Sequence, residues 1–242
     1  MSVDKVEVIR NMKKVVVTGG VAVGKSSIIE QLKQHLDEQH IPYIIIPEYI
    51  DVLEDAGEML QKYLRKEMKA IDFQWYVTKY YENYIMSLPL NGDELLIFER
   101  VLDDAVICFA NNDNKNDEIS TEDLLKLYNY ARDIDSKYNF PTYFDLQNTT
   151  FITIKTNDKN IDGNIVNNII NNSEYQKTII GLFNSAEECY QRMLSRNRPG
   201  ESNAYTISSI NSFNTHYMKL YQSLMVGEKI RFVSLGKFSP EF

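Results

Sequence analysis

Cysteine is scarce in this chain. Two residues, Cys108 and Cys189, among 242 exclude a disulfide scaffold, and their separation matches no metal-ligand spacing. Histidine is nearly as rare: His35 and His40 stand five apart, not the four that would align them on a helix for a metal, and His216 has no implied partner. A long apolar run is missing too. No stretch of about 18 apolar residues occurs, so no membrane span is expected. Positive charge is outweighed, with 26 Lys and Arg against 34 Asp and Glu. An acidic chain lacks the broad basic surface that nucleic-acid binding requires. The opening "MSVDKVEVIR" mixes acids with bases around no apolar core, unlike a secretory signal or an Arg-rich transit peptide. These absences point to a reducing, cytoplasmic setting, with neither nucleic acid nor membrane as partner. No internal repeat is visible.

What remains is the composition of an ordinary globular protein, 43% hydrophobic and 25% charged, long enough to fold as a single domain over residues 1–242. Short apolar runs predict strands at Lys14–Thr18, Tyr43–Ile46, Glu94–Phe98, Thr178–Phe183 and Ile230–Leu235. Helical spacing runs from Lys25, over Leu53–Met86 with a break near Ala70–Asp72, through Cys108, and over Thr121–Lys137. Strands alternating with helices predict an α/β fold, a parallel sheet flanked by helices in three layers. The Asn-rich stretch at about 156–172 reads as an inserted surface loop or flap. The strand-like "FITIK" before it is able to pair with "TIIGLF" as a hairpin, a point the sequence leaves open.

Gly19-x4-Gly24-Lys25-Ser26 lies between the first strand and the first long helix. That is the context in which a glycine loop cradles phosphate: backbone N–H groups close around its oxygens, Lys25 neutralises the β/γ charge, and the Ser26 hydroxyl is a Mg²⁺ ligand. The helix N-terminus, with Ser27 in its first turn, adds partial positive charge. The pattern predicts a P-loop NTPase-type fold that binds ATP and Mg²⁺.

Ligands of such sheets gather at the carboxyl ends of the strands. Glu48 falls at the end of the second strand, where it is placed to take a hydroxyl proton; alone, it is equally an ordinary strand-end carboxylate. Glu99 and Arg100 end the third, as a metal-directed carboxylate and a cation, or as a surface ion pair. "DFQWYVTKYY" sets Gln74 among aromatics; an amide reads a base edge and aromatic faces stack a base, although some of these rings belong to the core. "RMLSRNRPGES" packs Arg192, Arg196 and Arg198 into seven residues of an acidic protein. A solvated helix face would interleave both signs, so concentrated charge suggests a small anionic ligand.

Taken in order, these pieces resemble the deoxyribonucleoside kinase family over most of the chain, from about Lys14 to Leu235. "GGVAVGKSS" is similar to its phosphate loop, Glu48 to its catalytic glutamate and Gln74 to its base-pairing glutamine. Tyr63 falls where the family has a tyrosine on the sugar 3′-hydroxyl. Glu99-Arg100 resembles its Glu-Arg-Ser motif, and Arg192, Arg196, Arg198 and Glu201 resemble its R-x(3)-R-x-R-x(2)-E lid. The resemblance implies transfer of the ATP γ-phosphoryl to the 5′-hydroxyl of a deoxyribonucleoside, in nucleotide salvage. Glu48 is the implied base. Lys25, Arg100, Arg192, Arg196 and Arg198 stabilise phosphate charge, with Gly19, Gly24, Lys25, Ser26, Ser27, Arg192 and Arg196 on the donor. Ser26 and Glu99 hold Mg²⁺, Gln74 fixes the base, Tyr63 and Glu201 select the sugar, and an arginine-rich lid at about 192–204 closes over ATP. A homodimer is also implied.

The chain departs from the family pattern in places. Tyr49, not Pro, comes after Glu48; Val101 replaces the motif serine; the only Trp is Trp75. The stretch between Glu99 and the lid is longer than in most relatives, and the end is too short for a closing helix. Where members acting on cytosine and purines carry an Arg and an Asp, this chain has Tyr81 and Ala105. That leans towards thymidine or broad pyrimidine use. A deoxynucleoside monophosphate kinase on the same fold, and a nucleotide-binding subunit without catalysis, are the alternatives.

Overall fold

The computed structural model of the chain describes residues 4–143, 149–156, 163–172, 175–196, 205–226 and 232–235. Its strands are short runs rich in Val, Ile, Leu and Thr, as strands covered on both faces must be. They are β1 (Lys14–Gly19), β2 (Tyr43–Ile46), β3 (Leu95–Glu99), β4 (Thr150–Lys155), β5 (Lys177–Phe183) and β6 (Phe232–Leu235). All pair in parallel, in the order β2-β3-β1-β5-β4-β6.

Alternation along each strand sorts side chains onto two faces. Val16, Leu96, Phe98, Phe151 and Ile179 face a core built with helices α1 (Lys5–Asn11), α4 (Ala70–Ser87), α7 (Thr121–Tyr138) and most of α10 (Ile207–Val226). Val15, Val17, Ile97, Ile152, Ile180 and Leu182 face the other core, covered by α2 (Lys25–Glu38), α8 (Gly163–Asn171) and α9 (Ala186–Arg196). The result is the three-layer α/β arrangement expected. Helix α3 (Ala56–Leu64) lies over a smaller cluster of Phe73, Val77 and Ala105. Among the described residues no helix is long and apolar enough to cross a membrane.

One point left open by the sequence is settled, and two expectations need correction. The FITIK segment does not form a hairpin: β4 pairs parallel to β5, Ile152 opposite Ile180. Parallel neighbours need a crossover, and the Asn-rich stretch supplies it. Residues 157–162 lie outside the described residues, but Gly163–Asn171 is a helix, not a surface loop. Val166, Ile169 and Ile170 repeat at the i, i+3, i+4 spacing and pack on the sheet. The asparagines between them masked that stripe. The break in the long helical region also comes earlier than Ala70–Asp72, between Leu64 and Ala70, where Lys66 adopts a φ of 59°.

After β3 the chain passes through α5 (Leu102–Asp104), a π-helical turn (Ala105–Ala110) and α6 (Asn111–Lys115). The π turn is wider than a turn of α-helix, so it rotates α6 about the helix axis, and such turns are frequent at functional sites. Here it carries Ala105 and Phe109 on the way to Asp113.

Helix α7 carries a buried carboxyl, Asp135, that packs against buried Asp103 of α5. Burial and then the neighbouring Asp103 push Asp135 well above the usual carboxylate range, and Asp103 is raised as well. One proton shared between the two acids would account for both shifts. An acid whose pKa rises on folding favours the fold while it stays protonated. It costs stability as pH climbs from the unfolded value through the folded one. Asp135→Asn keeps a donor towards Asp103 without needing that proton. The variant is expected to melt higher than wild type by about 2–4 °C at pH 8, the change that about 1 kcal/mol gives in a chain of this size. The gap should close only as pH falls to the unfolded carboxyl value of about 3.9. Equal melting at pH 8, monitored by circular dichroism, counts against the shared proton.

Candidate active site

The sheet register sets the site. Val17 of β1 stands opposite Glu99 of β3, and Ile46 of β2 opposite Phe98, so the carboxyl ends of the three strands finish side by side. At the last residue of β1 the chain turns through Gly19, at a φ of 142°. A Cβ there would come within 2.6 Å of the Leu182 carbonyl oxygen, so only glycine fits this turn. Gly24, at a φ of 109°, caps α2, whose first turn presents Lys25, Ser26 and Ser27.

Four charged groups meet at this point. Lys25 Nζ lies 3.0 Å from Glu48 Oε1 and 3.9 Å from Glu99 Oε1. Arg100 Nε donates to Glu48 Oε1 at 2.5 Å, and its Nη1 donates to the Gly19 carbonyl and to the Tyr217 hydroxyl oxygen, the latter at 2.6 Å. The Arg100 backbone N–H still donates to Val17 as if the strand continued. The residue then takes a φ of 71°, a conformation that costs free energy outside glycine and that clusters at functional sites. The turn swings its guanidinium over Glu48 and above the Phe109 ring, 5.1 Å from its centroid.

Burial would push the Glu48 carboxyl up, but Arg100 and then Lys25 outweigh it and hold the carboxyl down at about 2. Glu99 moves the other way, raised by burial and by its neighbour Glu48. Burial and the facing Arg100 lower Lys25. Ser26 Oγ donates to Glu99 Oε1 at 3.2 Å, so the hydroxyl and carboxylate expected to hold Mg²⁺ converge. A hard divalent cation that keeps several waters and takes phosphate oxygens needs no more from the protein than such a pair.

Two clefts open on either side of Lys25. One, about 570 Å³, is lined by Gly24, Lys25, Ser26, Ser27, Gln31, Thr156, Arg192 and Arg196. The other, about 260 Å³, is walled by aromatic rings and ends on Glu48, Glu99 and Arg100. Ala22, Lys25 and Arg196 line both. In the second cleft Tyr63 stacks on Phe73 at 4.4 Å, and Tyr49 meets Phe73 edge-on at 6.0 Å. Tyr49 thus forms part of the wall of the aromatic cleft. Trp75 lines neither cleft and packs on Tyr130 instead.

Every site residue named from the sequence that falls within the described residues reaches this region. Tyr63, Gln74, Tyr81 and Ala105 line the aromatic cleft, with the Tyr81 hydroxyl donating to the Glu99 carbonyl at 3.4 Å. Arg192 is tied to the phosphate loop: its guanidinium donates to the Val23 carbonyl at 3.1 Å, and to Thr156 Oγ1 and the Thr156 carbonyl at 3.2 Å. Arg196 ends α9 at the mouth of both clefts. Arg198 and Glu201 lie outside the described residues, as does most of the expected lid.

Sequence reasoning missed several participants. Tyr217 holds Arg100 from α10, and Thr156 holds Arg192 from the end of β4. Buried Asp104 accepts from Thr18 at 2.5 Å, from Tyr143 at 2.9 Å and from the Val101 N–H at 3.0 Å, fixing β1 to the start of α5. Asp113 accepts from both Tyr63 and Gln74. Spacing signals none of the contacts to Arg100, Arg192, Thr18 or Asp113, because each joins elements far apart in the chain.

Comparison with family models and with curated proteins finds no match. Among solved structures, a deoxyadenosine kinase from M. mycoides with bound dATP aligns with a TM-score of 0.59. The match covers 93% of this chain and 90% of that one, at 16% identity. At that identity the likeness is one of fold, a parallel sheet flanked by helices in three layers.

Proposed function

We propose that this protein is a deoxynucleoside kinase that transfers the γ-phosphoryl of ATP to the 5′-hydroxyl of a deoxyribonucleoside, with a lean towards pyrimidines and thymidine. One observation carries the reading. Lys25 sits between a phosphate-loop cleft and an aromatic cleft, with Glu48 Oε1 3.0 Å from its ammonium. A phosphoryl group approaching from the first would meet a hydroxyl held in the second at that point. The fold likeness to a deoxyadenosine kinase agrees with this reading.

The residues supply the chemistry. Glu48 accepts the proton of the 5′-hydroxyl as its oxygen bonds to the γ-phosphorus and the bond to the departing ADP oxygen breaks. Lys25, Arg100, Arg192 and Arg196 stand where charge on the transferring group gathers, and Arg198 belongs to the same set. Ser26 and Glu99 hold Mg²⁺, which when bound draws charge from the phosphate oxygens. Rings of Tyr49, Tyr63, Phe73 and Phe109 enclose the nucleoside, and Gln74 reads its base. Tyr81 and Ala105 bring no charge to the base, which favours thymine over a base that needs an Arg–Asp pair.

The test is a panel of the four deoxynucleosides and their 5′-monophosphates, read by ADP release. Turnover is expected on nucleosides, highest on thymidine, and on no monophosphate. The cations lining the aromatic cleft among the described residues are Lys25 and Arg196, which also line the donor cleft, and Arg100, which is paired with Glu48. A preference for monophosphates would overturn the reading in favour of a monophosphate kinase. ATP binding without turnover on any acceptor would favour a non-catalytic subunit.

A further inference from the structure

Asp113 is 2% exposed and lines neither cleft, yet it holds two side chains that do. Its Oδ1 accepts the Tyr63 hydroxyl at 2.6 Å, and its Oδ2 accepts from Gln74 Nε2 at 2.8 Å. Among the described residues it has no Lys or Arg partner. Burial pushes its carboxyl up, while the bonds from Tyr63 and Gln74 pull it back. A buried carboxylate without a cation is costly to keep. The π turn just before it, Ala105–Ala110, sets its position.

A carboxylate accepts hydrogen bonds and donates none. Tyr63 therefore spends its one hydroxyl proton on Asp113, so towards a ligand its oxygen acts as an acceptor. Gln74 must turn its amide nitrogen to Asp113, which fixes the plane of the amide and leaves its oxygen on the far side. An amide free to turn over matches either order of donor and acceptor on a base edge; a fixed one matches a single order.

Building on the proposed function, we infer that Asp113 is a positioning residue that sets specificity at both ends of the nucleoside. Through Tyr63 it demands a sugar 3′-substituent that donates a hydrogen bond. Through Gln74 it selects between bases with an amino edge and bases with a keto edge. Asp113 touches neither the substrate nor the reacting atoms.

Deoxyuridine and deoxycytidine differ only in that edge. Wild-type enzyme is expected to separate their kcat/KM values by at least about tenfold, the effect of about 1.4 kcal/mol. In Asp113→Asn the amide nitrogen of the new side chain faces either Tyr63 or Gln74, and the lock is released. The ratio should collapse towards one, with KM moving more than kcat. The second measurement uses the wild type, so it does not depend on a variant folding. A 3′-fluoro nucleoside matches the 3′-hydroxyl in size and accepts without donating. It should lose at least about tenfold in kcat/KM, and Tyr63→Phe should erase that loss. Equal use of 3′-fluoro and 3′-hydroxyl substrates by wild type, or an unchanged deoxyuridine-to-deoxycytidine ratio in a folded Asp113→Asn, overturns the assignment. Wild-type enzyme that turns over no nucleoside overturns the proposed function instead.

Discussion

Glu48→Gln is expected to lower turnover by about 10²–10⁴-fold, the range that a positioned general base contributes. Glutamine keeps the length of the side chain and one carbonyl oxygen, but it cannot take the hydroxyl proton. ATP binding, measured by calorimetry, should stay within a few-fold, because the phosphate loop does not include this residue. More than a tenth of wild-type turnover in the variant would remove Glu48 from the role of base. The geometry adds a second reading of the same group. With Arg100 2.5 Å and Lys25 3.0 Å from Oε1, Glu48 is held at about 2, a weak base for an alcohol. Both cations are ones that phosphate oxygens of a bound donor would share. Sharing them loosens their grip on the carboxylate and makes it more basic when the phosphoryl group is at hand. The acid limb in kcat, which reports the bound complex, should therefore lie above the acid limb in kcat/KM, which reports the free protein.

What the sequence disclosed and what it hid divide along a physical line. The glycine turn and the helix after it were legible because they depend on local spacing: glycines at set offsets, then Lys25 and Ser26 opening a helix. Glu48, Glu99 and Arg100 were legible because strand ends of a parallel sheet collect ligands whatever the details, and the register brings those three ends together. Strand β4 was not, because direction of pairing depends on the connection, and an Asn-rich connection conceals the apolar stripe of its helix. Asp113 was hidden twice. It sits in "NNDNK", which reads as polar surface, and it reaches Tyr63 and Gln74 across 50 and 39 residues. The π turn that aims it leaves no signature in "AVICFA" that periodicity would detect.

Arg100→Met should cost about 10²–10³-fold in turnover, the loss typical of removing one preorganised group that meets developing charge. The more telling result is in the pH profile. Burial raises Glu48, Arg100 lowers it most, and Lys25 lowers it next. Without Arg100, burial is opposed by Lys25 alone, so the carboxyl rises and the acid limb of kcat/KM moves to higher pH. Stability changes with the same sign. A carboxylate depressed on folding stabilises the fold above its unfolded pKa, and that contribution fades as pH falls towards about 2. The variant loses part of this contribution at neutral pH. Arg100→Lys restores the charge but not the fork that joins Glu48, the Gly19 carbonyl and Tyr217. It should therefore bring back most of the acid limb and little of the rate. An acid limb unmoved in Arg100→Met would mean that Glu48 does not set it, and the charge cluster at the ends of β2 and β3 would need another purpose.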